Sequence, residues 1–100
     1  MAVGTFVIDF GATPTDEATV TVSEASVTAN SHLEAWIQAD DTTVGLGGIE
    51  NPPAFHEALS YFMATPTTKA RVAGVSFDAQ VRLRDAAATG KFKMHYATNG

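Results

Sequence analysis

The chain has 100 residues, of which 45% are hydrophobic and 17% charged, and it contains no cysteine. This length fits one domain, residues 1–100, with a single modest core, and so apolar a composition excludes a disordered chain. Because disulfides and thiolate metal sites are also excluded, oligomerisation is the remaining way to stabilise so small a domain, and we expect an assembly subunit.

Charge is distributed unevenly along the chain, whose net value is −5. Residues 1–57 contain nine acidic residues and no lysine or arginine, whereas residues 58–100 contain six basic and two acidic residues. Acidic strands that pair with basic strands inside one sheet explain this most simply, and acidic and basic faces that meet between neighbouring subunits are the alternative. The acidic balance argues against nucleic acid as a partner.

The N-terminal stretch MAVGTFVIDF has no basic region and carries Asp9 where a signal peptide would be apolar. Nowhere in the sequence is there a run of about 18 apolar residues, which a membrane-spanning helix needs. We therefore expect a soluble intracellular product that does not bind a membrane.

Strict alternation of apolar and polar residues predicts strands in the first third of the chain. It is clearest in Thr5–Phe10 and Ala18–Val22, and weaker in Ala25–Ala29, where the residues are small. The turn-forming stretch GATPTDE separates the first two strands. The residues predicted to point inward are Phe6, Ile8, Phe10, Ala18, Val20 and Val22.

The segment Ser31–Thr43, SHLEAWIQADDTT, fits two structures. Ser31 followed by Glu34 resembles a capping box and suggests a helix, whereas the alternation of Leu33 and its neighbours suggests a strand. Because the clearest segments of the chain all have a period of two, we favour the strand. Trp36 would then lie among polar residues, either covered by a second sheet or exposed as contact surface.

The middle of the chain combines a loop with a helix candidate. Asp40–Pro53 holds three glycines, two prolines and three acidic residues, which predicts an exposed loop with a short edge strand near Val44–Leu46. In Ala54–Ala64, Phe55, Leu59 and Phe62 recur at helical spacing, although the same segment also alternates as a strand.

Three further alternating segments complete the pattern: Arg71–Phe77, Ala79–Arg84 and Lys91–Tyr96. In the last of them, aromatic and methionine side chains point inward while two lysines and a histidine point outward. The chain thus contains six to eight short strands at regular spacing, which predicts an all-β fold with at most one short helix. The expected architecture is a small antiparallel β-sandwich or barrel.

The histidines and acidic residues are the candidate metal ligands and catalytic groups of this chain. Neither His32 with Glu34 nor His56 with Glu57 has the spacing of a metal motif, and we expect these histidines to be partly exposed and bonded to neighbouring polar groups. The acidic loop around Asp40 lacks the spacing of a calcium loop. We therefore expect neither a metal nor a cofactor.

No nucleophile motif is present either. The chain has no G-x-S-x-G elbow, and its glycine-rich stretch Gly45–Gly48 lacks the lysine and helix of a phosphate-binding loop. We expect that stretch to be a flexible loop tip, and the protein not to be an enzyme.

Three segments stand out as motifs: IDFGATP at the N-terminus, SHLEAWIQADDTT in the middle and TGKFKMHY near the C-terminus. Together with the pair His56–Glu57, they resemble a group of small virion proteins of tailed bacteriophages. The resemblance implies a β-rich structural subunit present in many copies, which decorates the capsid or belongs to the tail or a fibre. It implies no catalytic residues.

From these observations we expect a structural virion protein, most simply a capsid decoration or cement protein that binds copies of itself and the major shell protein. It would be made in the host bacterial cytoplasm and form a homo-oligomer such as a trimer. The alternative is a tail or fibre component that binds a host-surface glycan. The residues expected at interfaces are Trp36, His32, Glu34, Asp40, Asp41, Tyr61, Arg82, Arg84, Lys91 and Lys93.

Overall fold

The structure, a computed structural model, describes residues 2–37, 51 and 53–99. This part of the chain contains six strands and one helix. In chain order they are β1 (Ala2–Asp9), β2 (Glu17–Ser23), β3 (His32–Trp36), α1 (Pro53–Phe62), β4 (Thr67–Val72), β5 (Ser76–Arg82) and β6 (Lys91–Asn99).

The strands form two antiparallel sheets of three strands each, which pack together as a small β-sandwich. One sheet has the order β1-β6-β3 and the other the order β2-β5-β4. The central strands β6 and β5 therefore each have a neighbour on both sides. The predicted all-β sandwich with one short helix is confirmed.

The core consists of the inward-facing alternate residues of both sheets. Its centre is formed by the two central strands, whose inward side chains are almost completely buried. Each large apolar side chain buried in this way stabilises the fold by about 1.5–3 kcal/mol. The principal core residues are Phe6, Ile8, Phe10, Val22, Leu33, Phe77, Ala79, Val81, Phe92, Met94 and Tyr96.

Tyr96, on the central strand β6, connects the two sheets. Its ring packs against Phe77 of the opposite sheet with ring centroids 5.3 Å apart, and its hydroxyl donates a hydrogen bond of 2.6 Å to Glu24 Oε1, just after β2. Burial, followed by the hydrogen bond and the negative charge of Glu24, raises the pKa of Tyr96 to about 12. The hydrogen bonds from Tyr96 and then Ser26 lower the pKa of Glu24.

The ring of Tyr96 lies directly over Gly4, its cross-strand partner in β1. A Cβ atom on Gly4 would stand 2.7 Å from the tyrosine Oη and 2.8 Å from two ring carbons, well inside van der Waals contact. Only glycine fits here, because the space of a side chain is taken by the aromatic ring.

Helix α1 covers part of the edge of β6. The partner strand β3 pairs with β6 only from His95 to Asn99, so the edge from Lys91 to Met94 continues beyond it. There the Lys93 backbone N–H donates to Nε2 of the fully buried His56 at 3.0 Å. Asn51 adds hydrogen bonds from its backbone N–H and its side-chain amide to the Lys91 carbonyl, each of 3.1 Å. These side chains take the place of a neighbouring strand.

Two expectations about segments were wrong. Ala25–Ala29 forms turns, held by hydrogen bonds from Ser26 to the Glu24 carboxylate, and is not a strand. Arg71–Phe77 is not one strand, because a hairpin with Gly74 at φ 74° separates β4 from β5. The helix that the capping-box pattern at Ser31 suggested was the less favoured alternative, and it does not form, since the strand β3 begins at the next residue.

Two ambiguous segments are settled. His32–Trp36 is the favoured strand, with Leu33 and Ala35 buried and the residues between them exposed. Pro53–Phe62 is a helix, so the strand alternative for this segment was wrong. The expected edge strand at Val44–Leu46 and the glycine-rich tip lie outside the described residues.

Gly4→Ala is predicted to destabilise the protein by about 1–3 kcal/mol, because its methyl group overlaps the Tyr96 ring. Urea unfolding, followed by the fluorescence of the single tryptophan, measures this. In a Tyr96→Leu background, which lacks the overlapping atoms, the same change should be neutral or stabilising. Equal costs in both backgrounds would contradict the proposed overlap.

The titration of Tyr96 is predicted to have a midpoint near pH 12 in the folded protein. A Tyr61→Phe variant retains only this tyrosine, so its phenolate absorbance reports Tyr96 alone. Because the folded pKa is raised above the ordinary tyrosine pKa of 10.0, the associated stability is complete below pH 10.0 and is lost as the pH rises through about 12.

Glu24→Gln should lower that midpoint by removing the charge that opposes ionisation, while the contribution of burial remains. Circular dichroism at each pH shows whether the protein is still folded. A midpoint near 10 in folded protein, unaffected by Glu24→Gln, would contradict the buried pair.

Candidate interaction surfaces

Within residues 2–37, 51 and 53–99, no group of three or more histidine, aspartate or glutamate side chains is arranged to hold a metal ion. In the same ranges, no helix is long and apolar enough to cross a membrane. Large exposed apolar side chains occur in three places on the described surface: the outer face of sheet β1-β6-β3, helix α1, and the β4–β5 hairpin with Val72 and Val75. The first two carry aromatic rings.

The outer face of sheet β1-β6-β3 carries the only tryptophan of the chain. Trp36 pairs with His95 across β3 and β6, and their rings stack with centroids 6.1 Å apart at an angle of 17°. Trp36 remains 38% exposed. It is therefore surface rather than core, with one side of its ring supported by a histidine.

His32 and Glu34 lie on the same face, two residues apart along β3. His32 Nε2 donates to Glu34 Oε1 at 3.0 Å, and both side chains are largely exposed. Such an exposed pair contributes little to stability, about 0–1 kcal/mol. Lys93 points to this face as well, from the central strand β6. We refer to the surface of Trp36, His95, His32, Glu34 and Lys93 as the tryptophan face.

Helix α1 is apolar over most of its circumference, and only part of that surface is buried. His56 and Leu59 face the sandwich and are buried. On the outside are Phe55, Tyr61 and Phe62, with 56%, 76% and 47% of their surface exposed. We refer to these three aromatics, together with Ala54 and Ala58 between them, as the aromatic stripe.

A groove of about 290 Å³ runs between the aromatic stripe and the segment 83–89. That segment lies antiparallel to the helix, because the Arg84 N–H donates to the Phe62 carbonyl at 2.8 Å while Asn51 bonds to Lys91 at the other end. The groove is lined mainly by apolar side chains. They include Phe55, Ala58, Leu59, Phe62, Leu83, Ala86, Ala87, Ala88 and Phe92.

Acidic and basic residues lie opposite each other on neighbouring strands within each sheet, which accounts for part of the uneven charge distribution along the sequence. Glu17 of β2 and Arg82 of β5 are directly opposite and form an ion pair of 3.3 Å. Asp9 likewise stands opposite Lys91 in the register of β1 and β6. The simpler of the two charge interpretations, pairing of acidic with basic strands inside a sheet, is therefore found at these positions.

The expected interface residues are spread over several surfaces. Trp36, His32, Glu34, Lys91 and Lys93 lie on the outer face of sheet β1-β6-β3. The others are separated from them: Tyr61 on α1, Arg82 on the outer face of the second sheet, and Arg84 beside the C-terminus of α1. Asp40 and Asp41 lie outside the described residues.

Sequence reasoning missed the exposure of Phe55 and Phe62 and the complete burial of His56. The sequence did hold a usable signal. Apart from His56, the polar residues of α1 are Glu57 and Ser60, and a helix on the surface of the sandwich cannot bury so wide an apolar sector. The expectation of partly exposed histidines holds for His32 but was wrong for His56. No sequence pattern indicates that a backbone N–H of β6 needs the His56 ring as its hydrogen-bond acceptor.

No protein-family model, no curated protein and no solved structure matches this chain. The surfaces themselves are therefore the basis for function. They offer a supported tryptophan on one side of the molecule and an aromatic helix beside an apolar groove, both suited to contact with another molecule.

Proposed function

We propose that this chain is a non-enzymatic structural protein of a tailed-bacteriophage virion. Its most direct role is that of a capsid decoration or cement protein, which associates with copies of itself and binds the major shell protein. It is made in the host cytoplasm and resides in the particle. The motifs IDFGATP, SHLEAWIQADDTT and TGKFKMHY support the phage assignment, and the exposed aromatic stripe supports a role in assembly.

The aromatic stripe is the observation that carries this proposal. From the exposed fractions of its three aromatics, and about 200 Å² for each such side chain, roughly 350 Å² of aromatic surface lies on one helix face. The largest apolar patch of a monomeric protein typically has about this size and is often a binding surface. Exposure to water costs roughly 25 cal/mol per Å², which binding to a partner would recover.

Small size gives a second, independent reason for assembly. A chain of 100 residues without cysteine has one modest core and no covalent cross-link. Binding to a shell lattice would stabilise such a subunit by mass action, since only the folded form binds. Binding to the shell thus gives a decoration protein the stability that a larger core or a disulfide gives to other proteins.

The chain is predicted to be present in purified phage particles at a fixed ratio to the major shell protein. Quantitative mass spectrometry of gradient-purified particles, from a phage that encodes this chain, measures the ratio. Purified protein added to particles that lack it should bind and raise the temperature at which the shell releases its DNA. A chain absent from particles, or one that does not bind to depleted shells, would contradict the proposal.

A tail or fibre component that binds a host-surface glycan is the second candidate, and the stack of Trp36 on His95 favours it. A ring that is flat, exposed on one side and supported on the other suits the apolar face of a sugar, while His32 and Glu34 offer hydrogen-bonding groups beside it.

A glycan array separates the two candidates. If the chain is a decoration protein, neither the wild-type protein nor Trp36→Ala binds any glycan on the array. Under the glycan role, the wild type binds a defined set of sugars, and Trp36→Ala loses them while Tyr61→Ala, which changes an exposed aromatic elsewhere, keeps them.

A further inference from the structure

Strand β1 lies at the edge of sheet β1-β6-β3, and one side of its backbone has no neighbouring strand in the described part of the chain. Hydrogen bonds alternate along an antiparallel pair, so either the even-numbered or the odd-numbered residues of β1 bond to β6. Lys93 lies opposite Val7, and its N–H donates to His56 and not to β1. In the same register, the Phe10 N–H donates to the Gly90 carbonyl at 2.9 Å. The even-numbered residues therefore bond to β6, and the odd-numbered ones do not.

The backbone N–H and carbonyl groups of Val3, Thr5 and Val7 consequently point outward along the edge of the sheet. Within residues 2–37, 51 and 53–99, no hydrogen bond joins these groups to another residue. Water serves them in the isolated chain, and an added strand can replace water along the whole row, because its donors and acceptors have the same spacing. The chemistry of this edge thus fits one kind of occupant, an extended chain.

The other edge strands of the described sheets are less suited to such an addition. β4 is interrupted by a bulge, where Ala70 takes a φ of 52°. β3 has only five residues, and the Leu33 carbonyl on its open side accepts from Thr68 Oγ1 at 3.5 Å. β2 has only polar side chains on its outer face. β1 has eight residues without a bulge, proline, lysine or arginine, and edges of this kind pair with other chains.

The outer face of β1 is self-complementary about Thr5. Val3 and Val7 flank it at equal distances, and all three side chains lie on that face. When two β1 strands lie antiparallel about a twofold axis at Thr5, Val3 of each copy is opposite Val7 of the other, and the two threonines are opposite each other. Threonine pairs stabilise antiparallel strands. Pairing the valines removes apolar surface from water, including that of Val3, whose side chain is 71% exposed.

This register also joins the open backbone groups. Each hydrogen-bonded pair exchanges two bonds, so the pairs Val3–Val7, Thr5–Thr5 and Val7–Val3 supply about six. A shift of the register by two residues in one direction would place Asp9 opposite Val3, a charge against an apolar side chain. A shift in the other direction would place Val3 opposite Thr5 and shorten the paired segment. The arrangement centred on Thr5 is therefore the one that the side chains favour.

We propose that two copies of this chain associate by antiparallel pairing of their β1 strands about a twofold axis at Thr5. The two three-stranded sheets then become one continuous sheet in the order β3-β6-β1-β1-β6-β3. This deepens the proposed function, on which it rests for the claim of self-association, and it makes a dimer, and not the trimer expected from the sequence, the primary contact. Helix α1 covers the opposite edge of β6, so its aromatic stripe stays available for the shell protein.

Amide hydrogen exchange, followed by NMR at increasing protein concentration, tests the pairing at the atoms that form it. Exchange of the Val3, Thr5 and Val7 amides should slow by at least about tenfold as the dimer forms. The Phe6 and Ile8 amides already bond to β6 and should show no such change. Sedimentation velocity on the same samples should show a reversible monomer–dimer equilibrium.

Val3→Lys tests the side-chain contact, and Val72→Lys is its matched control. Both valines are exposed on edge strands, and Val72 of β4 is 51% exposed. Val3→Lys places a charge opposite Val7 of the partner and should raise the dimer dissociation constant by at least about tenfold. Val72→Lys should leave the constant unchanged within about twofold. Circular dichroism establishes that both variants are folded.

Val3→Lys combined with Val7→Glu tests the register. Each single change should weaken the dimer, and the double variant should restore the dissociation constant to within about threefold of wild type, because each introduced lysine then faces an introduced glutamate of the other copy. Within one chain the two positions are four residues apart along an extended strand, too far to pair. A double variant weaker than either single variant, or a dimer strengthened by Val3→Lys alone, would overturn the pairing at Thr5.

Other outcomes separate this inference from the proposed function. Wild-type protein that is monomeric at every concentration, or a dimer that leaves the exchange of the Val3, Thr5 and Val7 amides unchanged, overturns the β1 pairing, whether or not the chain is found in particles. If such a monomer binds depleted shells and Val3→Lys prevents that binding, β1 takes an extended segment of the shell protein and not a second copy. A dimer that meets these predictions but is absent from particles leaves the β1 pairing intact and removes the proposed function.

Discussion

The hydrogen bond from the Lys93 backbone N–H to Nε2 of His56 determines how the surface of this protein is arranged. Strand β6 extends past the end of β3, and the backbone groups left at its edge require partners. His56, on helix α1, supplies one acceptor, and Asn51, just before the helix, supplies donors to the Lys91 carbonyl. Once His56 is fixed inside, the rotation of the helix is fixed too, and its aromatic stripe faces solvent. A requirement of the sheet edge thus places the apolar surface to which we assign the role in assembly.

A second contact holds the sandwich together at the other end of β6. Tyr96 packs on Phe77 across the interior, bonds to Glu24 after β2, and lies over Gly4 in β1. One aromatic side chain therefore connects both sheets, and its hydroxyl is paired with a carboxylate and not left unsatisfied. These contacts join the two sheets in the interior, while the features available for binding lie on the outside.

The sequence predicted those parts of the structure that depend on local pattern. Alternation identified β1, β2, β3 and β6 with the correct inward residues, because a pleated strand with one buried face imposes a period of two. It failed at residues 71–77, where the turn at Gly74 was hidden inside an unbroken alternation. It also could not predict the burial of His56, since that depends on how far β3 extends along β6, which no local pattern records. The exposure of Phe55 follows from His56 and was missed with it.

The central claim is that this chain is a multi-copy virion subunit that binds its neighbours in the particle through the aromatic stripe of α1. A cryo-electron microscopy map of the assembled particle tests it most directly, because it shows both the location of the chain and the surface that each copy presents to its neighbour. The account predicts sandwich-shaped density on the shell at a regular ratio to the shell protein, with the aromatic stripe of α1 in contact with the shell protein or a neighbouring copy. Density in which α1 faces solvent, or a particle without the chain, would contradict it.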